Sequence, residues 1–430
     1  MDGEINVSLR SNTAQHAGVC RLCNAPLGHT FVDLGMSPPC ESFVPAAALH
    51  SAEPYYPLHA FVCSECLLVQ LQEYVTPEKI FQEYAYFSSF SDSWVDHAKR
   101  YCNEAADRFN LGPESFVVEI ASNDGYLLQH FLEKNVPILG IEPAINVAKV
   151  AVEKGVPTLT EFFGSTLATE MAAEGKQADL IIGNNVLAQV PDLNDFVAGM
   201  KLLLKSAGVI TLEFPHVEKL IAENQFDTIY HEHFSYFSLL TIEFMAARNG
   251  LMVFDVEELP THGGSLRVYM SHENGPWRRE PRVDALLEQE RKAGLDSIET
   301  YMAFAEATRQ TKRKLLSFLI EAKEARKSIC AYGAPGKGNT LLNYCGIGTD
   351  FIDFAVDRNP YKHGRFTPGM HIPIKPVDAL VQARPNYVLI LPWNLKTEIV
   401  EQMSVIGDWG GKFVVPIPDV SVIDPREAVQ

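Results

Sequence analysis

The sequence predicts an α/β chain of three parts. These are a small metal-clamped module on the N-terminal side, a central doubly wound Rossmann-like sheet, and a second Rossmann-like α/β unit on the C-terminal side. Three observations predict this. Two C-x-x-C pairs, Cys20/Cys23 and Cys63/Cys66, stand ahead of the first long apolar segment. Residues 116–143 read as strand, polar turn, helix and strand, the opening unit of a doubly wound sheet. Residues 329–340 repeat the pattern as an apolar strand, a Gly-rich turn and a helix start. A chain of 430 residues with 47% hydrophobic content can fill two or three such cores.

Composition narrows the partners. The formal charge of −18 at pH 7 repels nucleic acid and anionic membranes, so neither is expected as a partner. No run is long and apolar enough to span a bilayer. Residues 1–18 lack an apolar core and begin acidic, so they read as a flexible leader and not as a signal peptide. The expected location is cytoplasmic, and the expected state is a monomer.

Residues 19–75 form the module. Four of the 8 cysteines fall in its two knuckles. In a reducing compartment this reads as a structural zinc site, with Cys20, Cys23, Cys63 and Cys66 closing a tetrahedral shell. A Pro- and Gly-containing segment this short could not hold a core unaided. The residues inside the knuckles, Arg21-Leu22 and Ser64-Glu65, carry no signal of their own.

Residues 76–272 form the central domain, entered through a helical segment. Tyr84, Tyr86, Ser88 and Ser89 precede a helix that Ser91 or Asp92 can cap. They read equally as a lid over a ligand and as a packed linker. The first strand covers 116–120, the turn is Ala121-Ser122-Asn123-Asp124-Gly125, a helix follows over 126–134, and the second strand covers 138–141. Ligands of such sheets bind beyond the carboxyl ends of the strands. Those ends carry Glu119, Asp124 and Glu142-Pro143, with Asn146 just beyond. An acid after the second strand suits a ribose diol. The turn lacks the G-x-G-x-x-G that lets amides approach a pyrophosphate. Its acidity suits a cationic sulfonium, which favours S-adenosylmethionine over a dinucleotide. Further strands cover 156–159, 178–183 and 208–214, and a hairpin covers 251–257 and 265–270. Asn184-Asn185 and His216 follow two of these strands, and His262 lies in the hairpin turn.

Tyr230-His231-Glu232-His233 is the strongest candidate for proton chemistry. It sets two imidazoles around a carboxylate, and His titrates near neutrality. H-E-x-H is not metalloprotease spacing.

Residues 273–325 are charged and helical, a bridge with a solvated face. Residues 326–430 form the last unit. Its turn, 333–340, suits an anion, with amides at a helix start and Lys337 adding charge. Strands over 351–356 and 387–391 end near Arg358 and at Trp393-Asn394. With Lys337 and Asn339, these suggest a phosphorylated substrate such as a nucleotide.

Several motifs in fixed order extend this reading: ExxxNDG at 119–125, GIEPAxN at 140–146, NNVLAxVPD at 184–192, YHEHFSYFS at 230–238, THGGSLR at 261–267 and GAPGKGNTLLNYCG at 333–346. Together with the paired cysteines they resemble the sugar C-methyltransferases that build branched deoxysugars, the family of the C-3'-methyltransferase of tetronitrose biosynthesis. The resemblance covers nearly the whole chain. It implies a zinc module, a methyl-donor domain and a C-terminal domain that helps hold a nucleotide-diphosphate-linked 4-keto-6-deoxy sugar. It implies His233 as the base that removes a proton beside the ketone, with Tyr230, Glu232 and His231 around it. One position departs from the family pattern. Relatives carry His in the loop NNVLAHVPD where this chain has Gln189, which cannot take a proton. That leaves the carbon position, the stereochemistry and the sugar open. A methyl acceptor of another kind, an oxygen or nitrogen nucleophile, and a non-catalytic nucleotide-sugar binder are the competing readings.

Overall fold

The computed structural model describes residues 17–76 and 87–428. Tyr84 and Tyr86 lie outside the described residues. The apolar runs of the central domain pair into a seven-stranded sheet. Its order is Leu251–Leu259, Ser265–His272, Leu204–Pro215, Ala178–Asn184, Val117–Ile120, Ile138–Ile141, Thr158–Leu159. The last five are mutually parallel, and the first two form an antiparallel hairpin on one edge. All four residues of Val117–Ile120 are buried, as a strand covered on both faces must be. The chain order reverses between Val117–Ile120 and Ala178–Asn184, which places a crevice at their carboxyl ends.

Three elements are markedly shorter than the apolar pattern predicts, among them the strand expected over 156–159, which reduces to Thr158–Leu159. The helix expected over 126–134 reduces to Gln129–Leu132. Ala121, Asn123 and Gly125 take positive φ of 57°, 48° and 78°, so the chain coils through turns before it can start a helix. The strand expected over 351–356 reduces to Ala355–Val356. The Phe351 and Ile352 amides bond back to Gly348 O at 3.1 and 3.0 Å, which removes them from the ladder.

The second α/β unit carries a six-stranded sheet in which Ile329–Tyr332 lies between Ala355–Val356 and Tyr387–Ile390, all parallel. Between the two sheets run Pro281–Lys292 and the 27-residue helix Ile298–Glu324. Their faces are not all solvated, since Glu290 and Thr308 are fully buried and Thr311 nearly so.

The module is where the parts join. Its antiparallel sheet runs His29–Ser37, Tyr56–Val62, Val69–Leu71, and takes Ser235–Tyr236 as a fourth strand. Val44–Pro45 pairs with Arg365–Phe366 of the C-terminal unit. The Cys20, Cys23, Cys63 and Cys66 sulfurs all lie within 4.8 Å of one another. A tetrahedral thiolate shell around zinc needs sulfurs about 3.8 Å apart, given bonds of about 2.3 Å. Arg21, without a signal in the sequence, is a tie between domains. Its guanidinium donates to Leu71 O and, at 2.9 Å, to Pro191 O. Asn194 Nδ2 returns bonds to Arg21 O and Leu22 O at 2.9 and 3.2 Å. Among the described residues, no helix is long and apolar enough to cross a membrane.

Because the knuckle holds Arg21, metal loss should spread beyond the module. Cys20→Ser is expected to abolish stoichiometric zinc, measured by elemental analysis, and to lower the melting temperature of the chain. Arg21→Ala, which leaves two carbonyls short of a charged donor, should keep the zinc and cost roughly 1–3 kcal/mol in chemical unfolding.

Candidate active site

A cavity of about 1720 Å³ opens at the carboxyl ends of the central strands. All three parts wall it. The module contributes Cys40 and Glu41, the central domain Asn123, Glu142 and the 230–233 segment, and the last unit Lys337 and Asn394.

At one end stand groups fitted to a nucleoside. Glu142 accepts from the Asn123 amide at 3.0 Å and the Ala144 amide at 2.8 Å, which fixes its carboxylate after the second strand. Pro143, Asn146, Asn184, Asn185 and Ser88 share this wall. The Ser88 amide donates to Asn123 Oδ1 at 2.9 Å, so the entering segment walls the cavity there. Ser91 caps its helix, Asp92–Arg108, as the sequence suggests, and Trp94 on that helix also faces the cavity. Both amide atoms of Asn184 are buried without a protein partner. Orphaned polar atoms at the crevice mark a place for ligand hydrogen bonds, and an acidic, amide-rich wall fits a cationic amino-acid nucleoside.

Four expected cofactor residues, Ser89, Glu119, Asp124 and Gly125, lie outside the lining. Asp124 is outside the lining, because Lys154 Nζ takes its carboxylate at 2.9 Å; Ser89 accepts from the same ammonium at 2.6 Å. Gly125 packs inward, where a Cβ would lie 2.9 Å from Val156. Glu119 is buried beneath the cavity, outside its lining. Burial, and then the Glu142 and Asp124 charges, push its carboxyl well above the usual range.

The central cluster divides by role. His233 Nδ1 donates to Thr228 O at 3.3 Å, since a carbonyl can only accept, and Nε2 is left as the basic nitrogen. The Tyr230 ring lies 4.2 Å from the imidazole, centroid to centroid. Burial pushes His233 down to about 3 against a weak opposing pull from its Thr228 bond, so the ring is neutral near pH 7. His231 Nε2 donates to Pro57 O at 3.2 Å and ties the segment to the module. Burial, then the neighbouring Glu41, push Glu232 up to about 8, so at neutral pH it is mainly a protonated donor. Cys40 Sγ lies 3.9 Å from Glu232 Oε1. Gln189 lines the same cavity.

At the opposite end Lys337 Nζ donates to Asn394 Oδ1 at 3.0 Å and lies 4.8 Å above the Trp393 ring. Trp393 is therefore a floor and not a contact surface; its Nε1 donates to Asp227 Oδ2 at 2.8 Å. Lys362 and Arg365 line the cavity further along. His262 also lines it, with Asn185 Nδ2 at 3.2 Å from its Nε2.

Three expected substrate residues do not reach the cavity. His216 turns at the start of Val217–Ala222 into a buried pocket, 2.7 Å from Glu290 Oε1. The same Glu290 accepts the Leu239 and Leu240 amides at 2.5 and 2.8 Å, so the pair caps Leu239–Arg248. Asn339 faces away on its helix and donates to Cys40 O at 2.6 Å, bracing the module loop. Arg358 is exposed, 3.6 Å from Glu398.

Another network was not singled out from the sequence. Glu213, on Leu204–Pro215, is fully buried and lies 2.9 Å from His97 Nε2 and 2.6 Å from Arg267 Nη2. Burial alone would raise its carboxyl, but His97 and Arg267 together hold it down at about 2. Thr261 Oγ1 donates to it at 3.0 Å, which anchors the turn that carries His262. Arg267 inside the THGGSLR run was the available signal.

Comparison with known proteins agrees with this layout. Family models match in chain order: a zinc binding domain over residues 20–81, a methyltransferase domain over 94–256 and a C-methyltransferase C-terminal domain over 260–418. The C-methyltransferase NovU of Streptomyces niveus is 33% identical over 410 residues, covering 95% of this chain and 98% of that protein. Among solved structures, a SAM-dependent methyltransferase from Anabaena variabilis is 15% identical with a TM-score of 0.34, covering 42% of this chain and 86% of that one. A S-adenosylmethionine-dependent methyltransferase from Clostridium acetobutylicum is 11% identical with a TM-score of 0.34, covering 41% and 92%. Matched from the cysteine knuckles through the last sheet, the chain belongs to the S-adenosylmethionine-dependent C-methyltransferases with an N-terminal zinc-binding module.

Proposed function

We propose that the chain methylates the carbon beside the ketone, C-3', of a nucleotide-diphosphate-linked 4-keto-6-deoxy sugar. The observation that carries this is the fixed tautomer of His233. Its Nδ1–H is held by Thr228 O, and its neutral Nε2 belongs to a ring on the wall of the shared cavity. A proton beside a ketone is acidic enough for a positioned imidazole to remove. S-adenosylmethionine supplies, when bound, the electrophilic methyl carbon. Glu142, Asn123, Ser88, Asn146, Asn184 and Asn185 are the residues that would hold it.

The other substrate belongs at the cationic end. Lys362 and Arg365 give an acidic chain a local seat for a diphosphate, and Lys337, oriented by Asn394, faces the same cavity. Glu232, protonated at neutral pH, serves as a donor to a sugar oxygen more readily than as a partner base. Tyr230 packs against the base with its ring tilted at 36°. Gln189 can donate and accept a hydrogen bond but leaves proton removal to His233. The zinc is structural: four thiolates complete its shell and leave no position for a substrate.

The test is a panel of nucleotide-linked 4-ketosugars with isotopically labelled methyl donor, read by mass. His233→Ala should lower methyl transfer, and solvent exchange of the carbon-bound proton, by about 10²–10⁴-fold. Methyl transfer that survives this change, or transfer without any exchange at carbon, would refute the assignment.

Glu232 also makes a stability prediction. Its folded-state pKa of about 8 lies above the ordinary 4.5, so the folded chain binds the extra proton between those values. Its contribution is fully present below pH 4.5 and is lost as pH rises through about 8. Relative to Glu232→Gln, the wild-type chain should therefore lose unfolding free energy over that window. A difference that stays flat across the window would contradict the buried, protonated carboxyl.

A further inference from the structure

Taking a proton from the carbon beside a ketone moves negative charge onto the ketone oxygen. The base cannot answer that charge with its own N–H, because His233 Nδ1–H is committed to Thr228 O. We infer that the developing oxyanion is seated between His262 Nδ1–H, from the hairpin turn, and the Lys337 ammonium, from the C-terminal unit. This rests on the proton removal proposed above and assigns both residues a role beyond substrate binding.

The geometry of His262 gives the first donor. Asn185 Nδ2, an amide donor, lies 3.2 Å from His262 Nε2, so that nitrogen accepts and the ring hydrogen sits on Nδ1. Trp94 holds the ring edge-on at 5.2 Å. The residue sits at φ 55°, a left-handed conformation that a non-glycine residue keeps only where its surroundings enforce it. Burial, then the Lys337 charge, push the imidazole down to about 4, so near neutral pH it donates as a neutral ring and does not titrate.

The geometry of Lys337 gives the second. Of its three N–H groups, one is used by Asn394 Oδ1 at 3.0 Å. The ammonium lies over the Trp393 ring. The same indole packs against the residue next to His262: a Cβ on Gly263, at φ 91°, would lie 2.7 Å from Trp393 Cη2. The two donors are thus fixed to each other through Gly263 and Trp393. Both are also fixed to the base. Gln225 Nε2 donates to Gly263 O at 2.7 Å, Asp227 Oδ2 accepts Trp393 Nε1 at 2.8 Å, and Thr228 O accepts His233 Nδ1 at 3.3 Å. Gln225, Asp227 and Thr228 belong to one short turn, so a single piece of backbone sets acceptor and donors in register. His262, Lys337 and His233 all line the same cavity.

The electron flow balances with groups already assigned. His233 Nε2 takes the proton, the C–H pair becomes the new C=C bond, and the carbonyl π pair moves to oxygen between the two donors. On methylation the pair returns through carbon to the methyl group, the donor's C–S bond breaks with its electrons left on sulfur, and the ketone reforms. His233 then releases its proton to water. Preorganised donors at such an oxygen typically contribute about 10²–10³ in kcat each.

The experiment uses the full-length zinc-loaded protein with S-adenosylhomocysteine in deuterated water. The probe is the panel ketosugar that the wild type turns over fastest, and exchange at the α-carbon is read by mass. Lys337→Gln removes the charge and keeps length and polarity. His262→Asn keeps a residue that tolerates positive φ but shortens the donor. Each should lower kcat for exchange by about 10²-fold, with KM moving by less than about threefold. Lys337→Arg should recover part of the loss. S-adenosylhomocysteine binding and melting temperature should match the wild type. If His262→Asn melts early, the Lys337→Gln and Lys337→Arg pair carries the test, since neither change touches the strained turn at His262. Wild-type kcat in these variants, or a loss confined to KM, would overturn the oxyanion seat and leave His233 as the base. No exchange by the wild-type protein with any panel sugar would overturn both.

Discussion

The site depends on one buried polar turn, Gln225 to Thr228. Three of its groups reach in different directions: the Gln225 amide to the hairpin turn, the Asp227 carboxylate to the C-terminal unit, and the Thr228 carbonyl to the base. The residue before it anchors the turn. Asn224, at φ 50°, donates to Thr311 Oγ1 at 2.6 Å and to Ala307 O at 3.2 Å on the long helix. A buried carboxylate such as Asp227 is costly without partners. Burial raises it to about 6 even with Lys337 nearby and the Trp393 bond. That cost is tolerated where the group fixes a geometry that apolar packing could not specify, because an apolar contact has no preferred direction.

The zinc module solves a related problem. Residues 229–234 cross the cavity without regular structure, yet their backbone groups still need partners. The module provides them on one side: Ser235–Tyr236 joins its sheet, Leu71 N donates to Phe234 O at 3.0 Å, and His231 bonds Pro57 O. Arg21 then ties the first knuckle to the loop after Gln189. A module too small for its own core is thereby placed between two larger ones. A metal held by its four cysteines would stabilise a local fold whose outer surface holds the 230–234 segment.

Much of this was legible in the sequence because it is local. Apolar runs closed by polar turns gave the strands, and strand ends gave Glu142, Asn184 and Asn185 on the cavity wall. Paired cysteines gave the four-sulfur cluster, and the density of titratable groups gave the 230–233 segment on the cavity wall, within which only the family resemblance singled out His233. What was not legible depends on where a side chain turns after its strand ends. His216 follows a strand just as Asn184 does, but its neighbour across the fold is Glu290, 74 residues on. Asp124 looked like a ligand grip until Lys154 claimed it. Asn339 and Lys337 stand two apart at a helix start, so they face different sides, and only the lysine meets the cavity. His97, Glu213 and Arg267 come from three distant segments, and no spacing rule brings them together.

The electrostatics of the cavity follow from these placements. The overall charge is strongly negative, yet the carboxyls nearest the reacting region are neutralised in different ways. Glu213 is paired with His97 and Arg267, Asp124 is paired with Lys154, and Glu119 and Glu232 are pushed toward their protonated forms by burial. The imidazoles are pushed the other way, toward neutrality. The cavity wall also carries the neutral His233 ring and a short row of cations, Lys337, Lys362 and Arg365. In the proposed reaction the charge that appears on oxygen would meet these cations, with Asp227 behind Lys337 and Glu41 4.0 Å from Lys362. Gln189 joins this wall as an uncharged amide. A histidine in its place would add a further titratable group to a cavity that His97, His231, His233 and His262 already line, whereas the amide adds none.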